Sequence, residues 1–110
     1  MDDLKKRAET EALFRDVNER IAEAADRFAS TSAEFVCECS DVECTDRVEA
    51  TLDEYEEVRD DGATFLLAPG HEDPEIERVV ERGRGFAVVE KVNRTVARTV
   101  RRLNPRPEPA

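Results

Sequence analysis

Residues 34–44 read EFVCECSDVEC and place Cys37, Cys39 and Cys44 within eight positions. Cys37 and Cys39 are two residues apart in a segment that alternates in character, so an extended backbone points both side chains to one side. The four residues between Cys39 and Cys44 are enough to bring the third thiol back to the first two. Because the chain has three cysteines, an odd number, a complete set of internal disulfides is excluded.

A histidine follows the cysteines at a distance. His71 is the only histidine of the chain, and it comes directly after Ala68-Pro69-Gly70, a turn-forming sequence that can aim its ring inward. Three thiolates and one imidazole are a usual ligand set for Zn²⁺, and a site closed by four protein ligands is usually structural. We therefore predict a zinc knuckle with one structural Zn²⁺. Its predicted ligands are Cys37, Cys39, Cys44 and His71.

Other chemistries of these residues are weaker predictions. Glu38 or Asp41 could replace His71 as the fourth ligand, and an iron–sulfur cluster usually needs a different cysteine spacing. Cys44 and His71 could form a nucleophile and its base, but no third group orients the histidine. The chain has no H-E-x-x-H, no P-loop, no glycine-rich dinucleotide turn and no deaminase-type cysteine pair. A non-enzymatic protein is therefore expected.

A long helix is predicted before the cysteines, over residues 3–29. Five apolar residues recur there at intervals of three and four, which places them on one stripe of a helix. These residues are Phe14, Val17, Ile21, Ala24 and Phe28. A stripe of this kind usually packs on the core of its own chain, which is the interpretation we favour. The same spacing is the heptad pattern, so self-association through the stripe is the alternative.

Short strands and helices are predicted around and after the cysteines. The strands are 34–39, 47–50, 64–67, 76–82 and 86–92, the last two joined as a hairpin by Gly83-Arg84-Gly85. A helix over 75–82 competes with the fourth strand, because Ile76, Val79 and Val80 also fit a helical stripe. Thr51-Leu52-Asp53-Glu54 is a capping box, which predicts a helix from Leu52 to about Asp60 with Leu52, Tyr55 and Val58 facing inward.

The last part of the chain is basic. Residues 93–103 are predicted to form a helix with Val96, Val100 and Leu103 on one side, and residues 104–109 a proline-rich, disordered tail. The whole chain is therefore predicted to be α+β, with a long N-terminal helix, a small antiparallel sheet around the zinc knuckle, a short capped helix and a basic C-terminal helix and tail. We divide it into an N-terminal helix (1–30), a zinc-binding core (31–92) and a basic end (93–110).

The charge of the chain bears on its partners. The net charge is −10, with −12 in residues 31–92 and +4 in residues 93–110. An acidic body repels phosphate backbones, which makes nucleic-acid binding an unfavoured prediction. No apolar run is long enough for a membrane span or a secretory signal, so no membrane contact and a cytoplasmic location are expected.

Three stretches of this chain are similar to a family of small uncharacterised actinobacterial proteins: FVCECSDVECTDRVEATLDEYEEVR, FLLAPGHE and VVERGRGFAVVEK. The similarity extends from about Ala12 to Lys91. The series C-E-C, C, E-Y, V-R and P-G-H-E is fairly specific to that family. The resemblance implies that the cysteines and the Pro-Gly-His turn belong to one unit, and it implies no substrate.

Three functions are compatible with these patterns. The favoured one is a non-enzymatic, zinc-stabilised interaction or regulatory module, which binds an unknown protein partner or a second copy through Phe14, Val17, Ile21, Ala24 and Phe28. The first alternative is a thiol-based redox or metal sensor. The second is a nucleic-acid accessory protein that uses the arginine-rich C-terminal segment.

Overall fold

The computed structural model describes residues 3–106, which form three helices and two small antiparallel sheets. The helices are α1 (Asp3–Arg27), α2 (Leu52–Val58) and α3 (Arg94–Arg102). The strands are β1 (Ser32–Val36), β2 (Arg47–Thr51), β3 (Thr64–Leu67), β4 (Glu77–Gly83) and β5 (Phe86–Lys91). The predicted α+β fold with a long N-terminal helix is confirmed.

The sheet predicted around the cysteines is in fact two sheets. One is the β1–β2 hairpin, in which Phe35 pairs with Val48. The other has the order β3-β5-β4, with all neighbours antiparallel. The first strand ends at Val36, so the cysteines lie in the loop between β1 and β2 and not in a strand. Phe35 and Tyr55, both fully buried, stack with ring centroids 4.6 Å apart and so join this hairpin to α2.

The C-terminal hairpin is confirmed, and the competing helix over 75–82 is wrong. Its turn contains Gly85 at φ +85°, a conformation that glycine adopts without strain. Five of the six residues of β5 are buried, because the strand is central in its sheet and needs apolar side chains on both faces. A central strand also needs a hydrogen-bonded neighbour on each edge. Residues Glu77–Gly83 form the second neighbour of β5 and are therefore a strand.

The capping box is also confirmed. The Thr51 hydroxyl accepts a hydrogen bond from Glu54 N at 3.0 Å, and the Glu54 carboxylate accepts one from Thr51 N at 2.8 Å. The helix ends at Val58, two residues before the predicted end. Tyr55 and Val58 are buried as predicted, and Leu52 is half-buried against the same core.

The inward face of α1 is not the predicted one. The helix buries six other residues, three of them one position further along the chain than a residue of the stripe, which rotates the inward face by about 100° around the helix axis. These residues are Ala8, Glu11, Ala12, Arg15, Asn18 and Ala22. Val17 is 39% exposed and Phe28 80% exposed, so the prediction that the stripe packs on the core is wrong for these two residues. Charged and amide side chains of α1 face inward because each has a partner there.

Asn18 connects α1 to the segment that carries the first two cysteines. Its amide donates to Val36 O at 2.8 Å and to the Glu38 carboxylate at 2.7 Å, and its carbonyl accepts from Val36 N at 2.8 Å. One side chain thus satisfies both backbone groups at the end of β1. The start of the cysteine loop is held against α1 by these three bonds.

Arg15 connects the same helix to the C-terminal half of the chain. Its guanidinium is fully buried and donates to Gly62 O at 2.9 Å and to Val100 O at 2.8 Å. It also lies over the Phe65 ring, 4.8 Å from the ring centroid, and Lys91 lies over that ring at 4.7 Å. Both cations keep an attractive partner in a region without water, which is what permits their burial.

Lys91 stands at the centre of a buried ionic cluster. Its ammonium lies 2.9 Å from the Glu11 carboxylate and also bonds Glu77. Burial raises the pKa of Glu11 to about 7, and the Lys91 charge opposes that rise only in part. The charges of Glu77 and Cys39 act in the same direction as burial. Glu11 therefore keeps its proton in the folded state over a pH range in which it loses it in the unfolded state.

The C-terminal segment packs on the two other helices. Asn93 caps α3 by accepting a hydrogen bond from Val96 N, and Arg106 forms ion pairs with Glu19 of α1 and Glu56 of α2. The remainder of the predicted tail, residues 107–110, lies outside the described residues. Among residues 3–106, no helix combines the length and the apolar character that a membrane crossing requires.

Removing the Asn18 amide should destabilise the fold strongly. The change Asn18→Ala leaves both backbone groups of Val36 and one oxygen of Glu38 without their partner, and such buried losses together cost about 3 kcal/mol. Urea unfolding of the zinc-saturated protein measures this loss. The matched control is Glu9→Ala, an exposed position of the same helix, which should change the free energy of unfolding little.

The raised pKa of Glu11 gives the stability a specific pH dependence. Below about pH 4.5 the Glu11 carboxyl is protonated in both the folded and the unfolded state. As the pH rises to about 7, the unfolded state loses this proton first, so the free energy of unfolding decreases over this range. We expect the stability of Glu11→Gln relative to the wild type to increase across this window, by about 3 kcal/mol in the free energy of unfolding at its upper end. Unfolding at a series of pH values, with zinc saturating, measures the difference. A difference that stays constant from pH 4.5 to 7 would contradict this assignment.

Candidate metal centre

The loop between β1 and β2 is closed at its base by the backbone. Cys37 N donates to Asp46 O at 3.2 Å, which continues the pairing of the two strands by one step. Cys44 N donates to Asp41 O at 2.9 Å, and the Asp41 carboxylate accepts from Glu43 N at 3.0 Å. The polar residues after Cys39 thus form a turn, and this turn returns Cys44 toward the first two thiols.

Glu38, between the first two cysteines, faces the opposite way from both. Its carboxylate is fully buried and accepts from Asn18 and from Leu66 N, the latter at 2.9 Å. Its backbone N–H donates to Leu66 O at 2.8 Å. Because successive side chains of extended backbone alternate, the inward Glu38 sends Cys37 and Cys39 to the other side. The alternative in which Glu38 is the fourth ligand is therefore wrong.

The turn after β3 brings His71 to the cysteines, as the sequence predicted. Gly70 has φ +85°, and His71 N donates to Ala68 O at 3.2 Å, which closes the turn. The ring nitrogen Nδ1 of His71 lies 3.6 Å from Cys37 Sγ and 3.6 Å from Cys44 Sγ. The two segments of the candidate site therefore come from different sheets.

The four predicted ligand residues converge on one point. Their donor atoms all lie within 4.8 Å of one another. In tetrahedral zinc sites with Zn–S near 2.3 Å and Zn–N near 2.0–2.1 Å, the edges are about 3.6 Å for N–S and about 3.8 Å for S–S. The two N–S distances already match such a site, and small side-chain rotations would complete it. The cluster is thus close enough to hold a metal ion.

Each sulfur atom also accepts a backbone hydrogen bond. Ala68 N donates to Cys37 Sγ at 3.2 Å. The backbone N–H groups of Asp41 and Asp46 donate to Cys39 and Cys44 in the same way, each from two residues further along the chain. Such bonds favour the thiolate over the thiol and partly neutralise its charge. These backbone N–H groups therefore act against the burial that raises the pKa values of Cys37 and Cys44, and they favour the thiolate, the form of cysteine that binds metals.

The other ring nitrogen of His71 has a carboxylate partner. His71 Nε2 lies 2.8 Å from the Asp46 carboxylate, and both side chains are partly exposed. Ligand histidines in metalloproteins usually donate this second N–H to a carboxylate, which fixes the tautomer and the ring orientation. Here the contact leaves Nδ1, the nitrogen that faces the sulfurs, free to act as ligand. A role for Asp46 was not predicted from the sequence, although its position two residues after Cys44 was a usable signal.

Hydrogen bonds connect the thiols and the imidazole of the cluster and shift their pKa values. A hydrogen bond from Cys37 lowers the pKa of Cys39 to about 5, helped by His71 and opposed by burial. The same Cys37–Cys39 contact, with burial, raises the pKa of Cys37. The bond to Cys39 also raises the pKa of His71. Metal binding would displace these protons, as is general for thiolate and imidazole sites.

The candidate site has a closed inner side and one side toward solvent. Cys37 and Cys39 are buried in the core, whereas Cys44 and His71 are half-buried. All three cysteines are free thiols. The ion would therefore lie at the edge of the core between the two sheets. Asp41, the other alternative ligand, uses its carboxylate within its own turn, where it accepts from Glu43 N.

Comparisons with models of protein families, with curated proteins and with solved structures found no match to this chain. The resemblance to the actinobacterial family stays a prediction. What the site can do is therefore argued from its own geometry.

The contact between Asp46 and His71 predicts a measurable loss of affinity. We expect Asp46→Ala to weaken zinc binding about 10–100-fold, because His71 loses the group that orients it. The backbone contacts of residue 46 with Cys37 and Cys44 do not need its side chain. Competition with a chromophoric chelator measures the affinity. Glu43→Ala, an exposed acid of the same loop, is the control, and equal losses in both variants would contradict a specific role for Asp46.

Proposed function

We propose that this protein is a non-enzymatic interaction module whose fold is stabilised by one structural Zn²⁺. The ion is bound by Cys37, Cys39, Cys44 and His71. The observation that carries the proposal is the convergence of four donor atoms within 4.8 Å, with a backbone N–H donated to every sulfur. A set of unrelated buried thiols would not need these contacts together.

The donor set favours zinc over other metals. Three thiolates and one imidazole are soft to borderline ligands, which Zn²⁺ prefers and which Mg²⁺ and Ca²⁺ avoid. Four protein ligands complete a tetrahedral site and leave no open position for a substrate. This supports a structural ion.

The positions of the ligands support a stabilising role as well. Three ligands lie in the β1–β2 loop and the fourth follows β3, so the ion would join the hairpin to the second sheet. Residues 40–46 contribute few side chains to the core, and Val42 in this loop is 68% exposed. With so little apolar burial of its own, the loop depends on another source of order. A metal ion is the source that its side chains provide.

The exposed residues of α1 support an interaction role. Leu13 and Phe28 are 57% and 80% exposed, although the chain has only five phenylalanines and a modest core. Large apolar side chains grouped on one surface usually mark a site of association. The proposal therefore assigns binding to α1 and structural support to the metal centre.

A thiol-based sensor is the second candidate, and the accessibility of Cys44 favours it. Cys44 is half-buried while its two neighbours in the cluster are buried, so an oxidant would reach it first. Oxidation of Cys44 and Cys37 by a peroxide would form a disulfide, with the two electrons passing to the peroxide, and would release the ion. Zinc release by mild peroxide, with recovery after reduction, would distinguish a sensor from a purely structural site.

Metal content and stability test the main proposal. We expect about one zinc per chain after purification without added metal. Chelation should lower the midpoint of thermal unfolding by more than about 10 °C, since the ion contributes several kcal/mol and each shifts the midpoint by about 4–8 °C in a small domain. Elemental analysis and circular dichroism are the measurements.

Variants of the ligands sharpen this test. Cys39→Ser and His71→Ala should each reduce the metal content and the midpoint, whereas Ser40→Ala, in the same loop, should change neither. Far less than one metal per wild-type chain would reject the zinc centre. Full metal content and stability in His71→Ala would reject His71 as the fourth ligand.

A further inference from the structure

One surface of α1 is apolar and partly exposed, although Ile21 within it also packs against the edge of the core. Its residues fall within an arc of about 100° around the helix axis, on the side away from the buried face. We call this surface the α1 face. It consists of five residues of α1 and of Phe28, which follows the helix directly and donates its N–H to Ala24 O; the five are Leu13, Phe14, Val17, Ile21 and Ala24. Leu13, Val17 and Phe28 are exposed, and the other three are half-buried.

A row of alternating charges runs beside the α1 face. Along the chain these are Asp16, Arg20, Glu23 and Arg27, all exposed. None of the four forms an ion pair with another described residue, although 16 and 20, and 23 and 27, are spaced for one on a helix. The signs follow the order negative, positive, negative, positive. When a second copy of the row runs in the opposite direction, each charge faces a charge of the opposite sign.

We propose that two copies of this chain associate through their α1 faces, with the helices antiparallel and a two-fold axis close to Ile21. The proposal rests on the interaction role proposed above and names the partner as a second copy. It is tested separately from the zinc centre, although Val42 of the cysteine loop adjoins one end of the α1 face.

The register of the pair follows from the charges. An antiparallel two-fold arrangement brings a row on one side of a helix against the same row of its copy. With the axis between residues 21 and 22, Arg20 meets Glu23 of the second copy and Asp16 meets its Arg27. Each contact occurs twice by symmetry. In a parallel arrangement, each charged residue would instead lie at the same height as the identical residue of the second copy.

The apolar residues fit the same register. Ile21 meets Ile21 of the second copy near the axis, Val17 lies near its Ala24, and Leu13 lies near its Phe28. These pairings agree with the charge register to within about two residues, or about 3 Å along a helix. Two independent properties of the surface, its charges and its apolar positions, thus select one arrangement.

The structure leaves space where the exposed Phe28 of the second copy would arrive. A groove of about 420 Å³ lies between the first half of α1 and the tip of the cysteine loop, and Leu13 and Val42 form its apolar walls. Val42 is 68% exposed in the single chain. In the proposed pair, the phenyl ring lies next to Leu13 and covers this end of the face.

The first experiment measures mass against concentration for the zinc-loaded protein, by sedimentation and light scattering. We expect a dimer whose Kd rises at least tenfold in Val17→Asp and in Phe28→Ser. Both positions are exposed, so zinc content and circular dichroism should stay unchanged. Val80→Asp, at an exposed apolar residue of β4, is the matched control and should leave the Kd unchanged.

The second experiment reverses charges. Arg20→Glu and Glu23→Arg should each weaken the dimer, because each places like charges opposite one another twice. The double variant Arg20→Glu with Glu23→Arg should restore the affinity to within a few-fold of the wild type. If the two residues had only a structural role within their own chain, the second change would not restore the affinity. Each substitution would then affect its own helix in the same way in the single and in the double variant.

Two outcomes would overturn the proposal. The first is that the zinc-loaded wild type stays monomeric from low micromolar to millimolar concentration. This outcome would overturn the proposal even if the monomer bound a different protein through α1. The second is a dimer that neither set of changes weakens, which would place its interface elsewhere. Zinc content is recorded for every variant. A monomer with full zinc content would therefore reject the dimer and not the metal centre. A wild type without zinc would reject the metal centre separately.

Discussion

A carboxylate in the interior of a small fold needs partners for both of its oxygens, and Glu38 has them on opposite sides. Asn18 of α1 donates to one oxygen and the backbone of Leu66 in β3 donates to the other. The N–H of Glu38 is bonded to Leu66 as well. Much of the candidate site follows from this one inward side chain. Because Glu38 points to one side, the two cysteines beside it point together to the other side, toward the turn that carries His71, and both remain buried.

Helix α1 departs from an ordinary amphipathic helix, because it buries three polar side chains beside three alanines while Leu13 and Val17 are exposed. Its buried residues Glu11, Arg15 and Asn18 each contact a different part of the chain: β5, the carbonyls before β3 and at the end of α3, and the end of β1. Directional contacts of this kind fix the orientation of a helix more narrowly than apolar packing does. The same contacts leave the apolar residues of α1 on the surface, where they can serve association.

The proposed function assigns stabilisation to the metal centre and association to α1. The cysteine loop and the His71 turn come from separate sheets, and an ion between them would close the side of the core that has few apolar residues. Arg106 pairs with Glu19 and Glu56 and connects the C-terminal segment to both α1 and α2. Helix α1 therefore has contacts both with the segment that begins the cysteine loop, through Asn18, and with the C-terminal segment, through Glu19.

Local patterns in the sequence were enough for the α+β class, the capping box, the C-terminal hairpin and the choice of Cys37, Cys39, Cys44 and His71. Each of these depends on neighbours along the chain or on the chemistry of a residue type. The face of α1 was decided only by the tertiary structure, because the partners of Arg15 and Asn18 lie far along the chain and no periodicity reveals them. The same holds for Glu38, whose burial removes it as a ligand, and for Asp46, whose role requires the position of His71. Sequence thus determined which groups can bind a metal, and the fold decided which of them face one another.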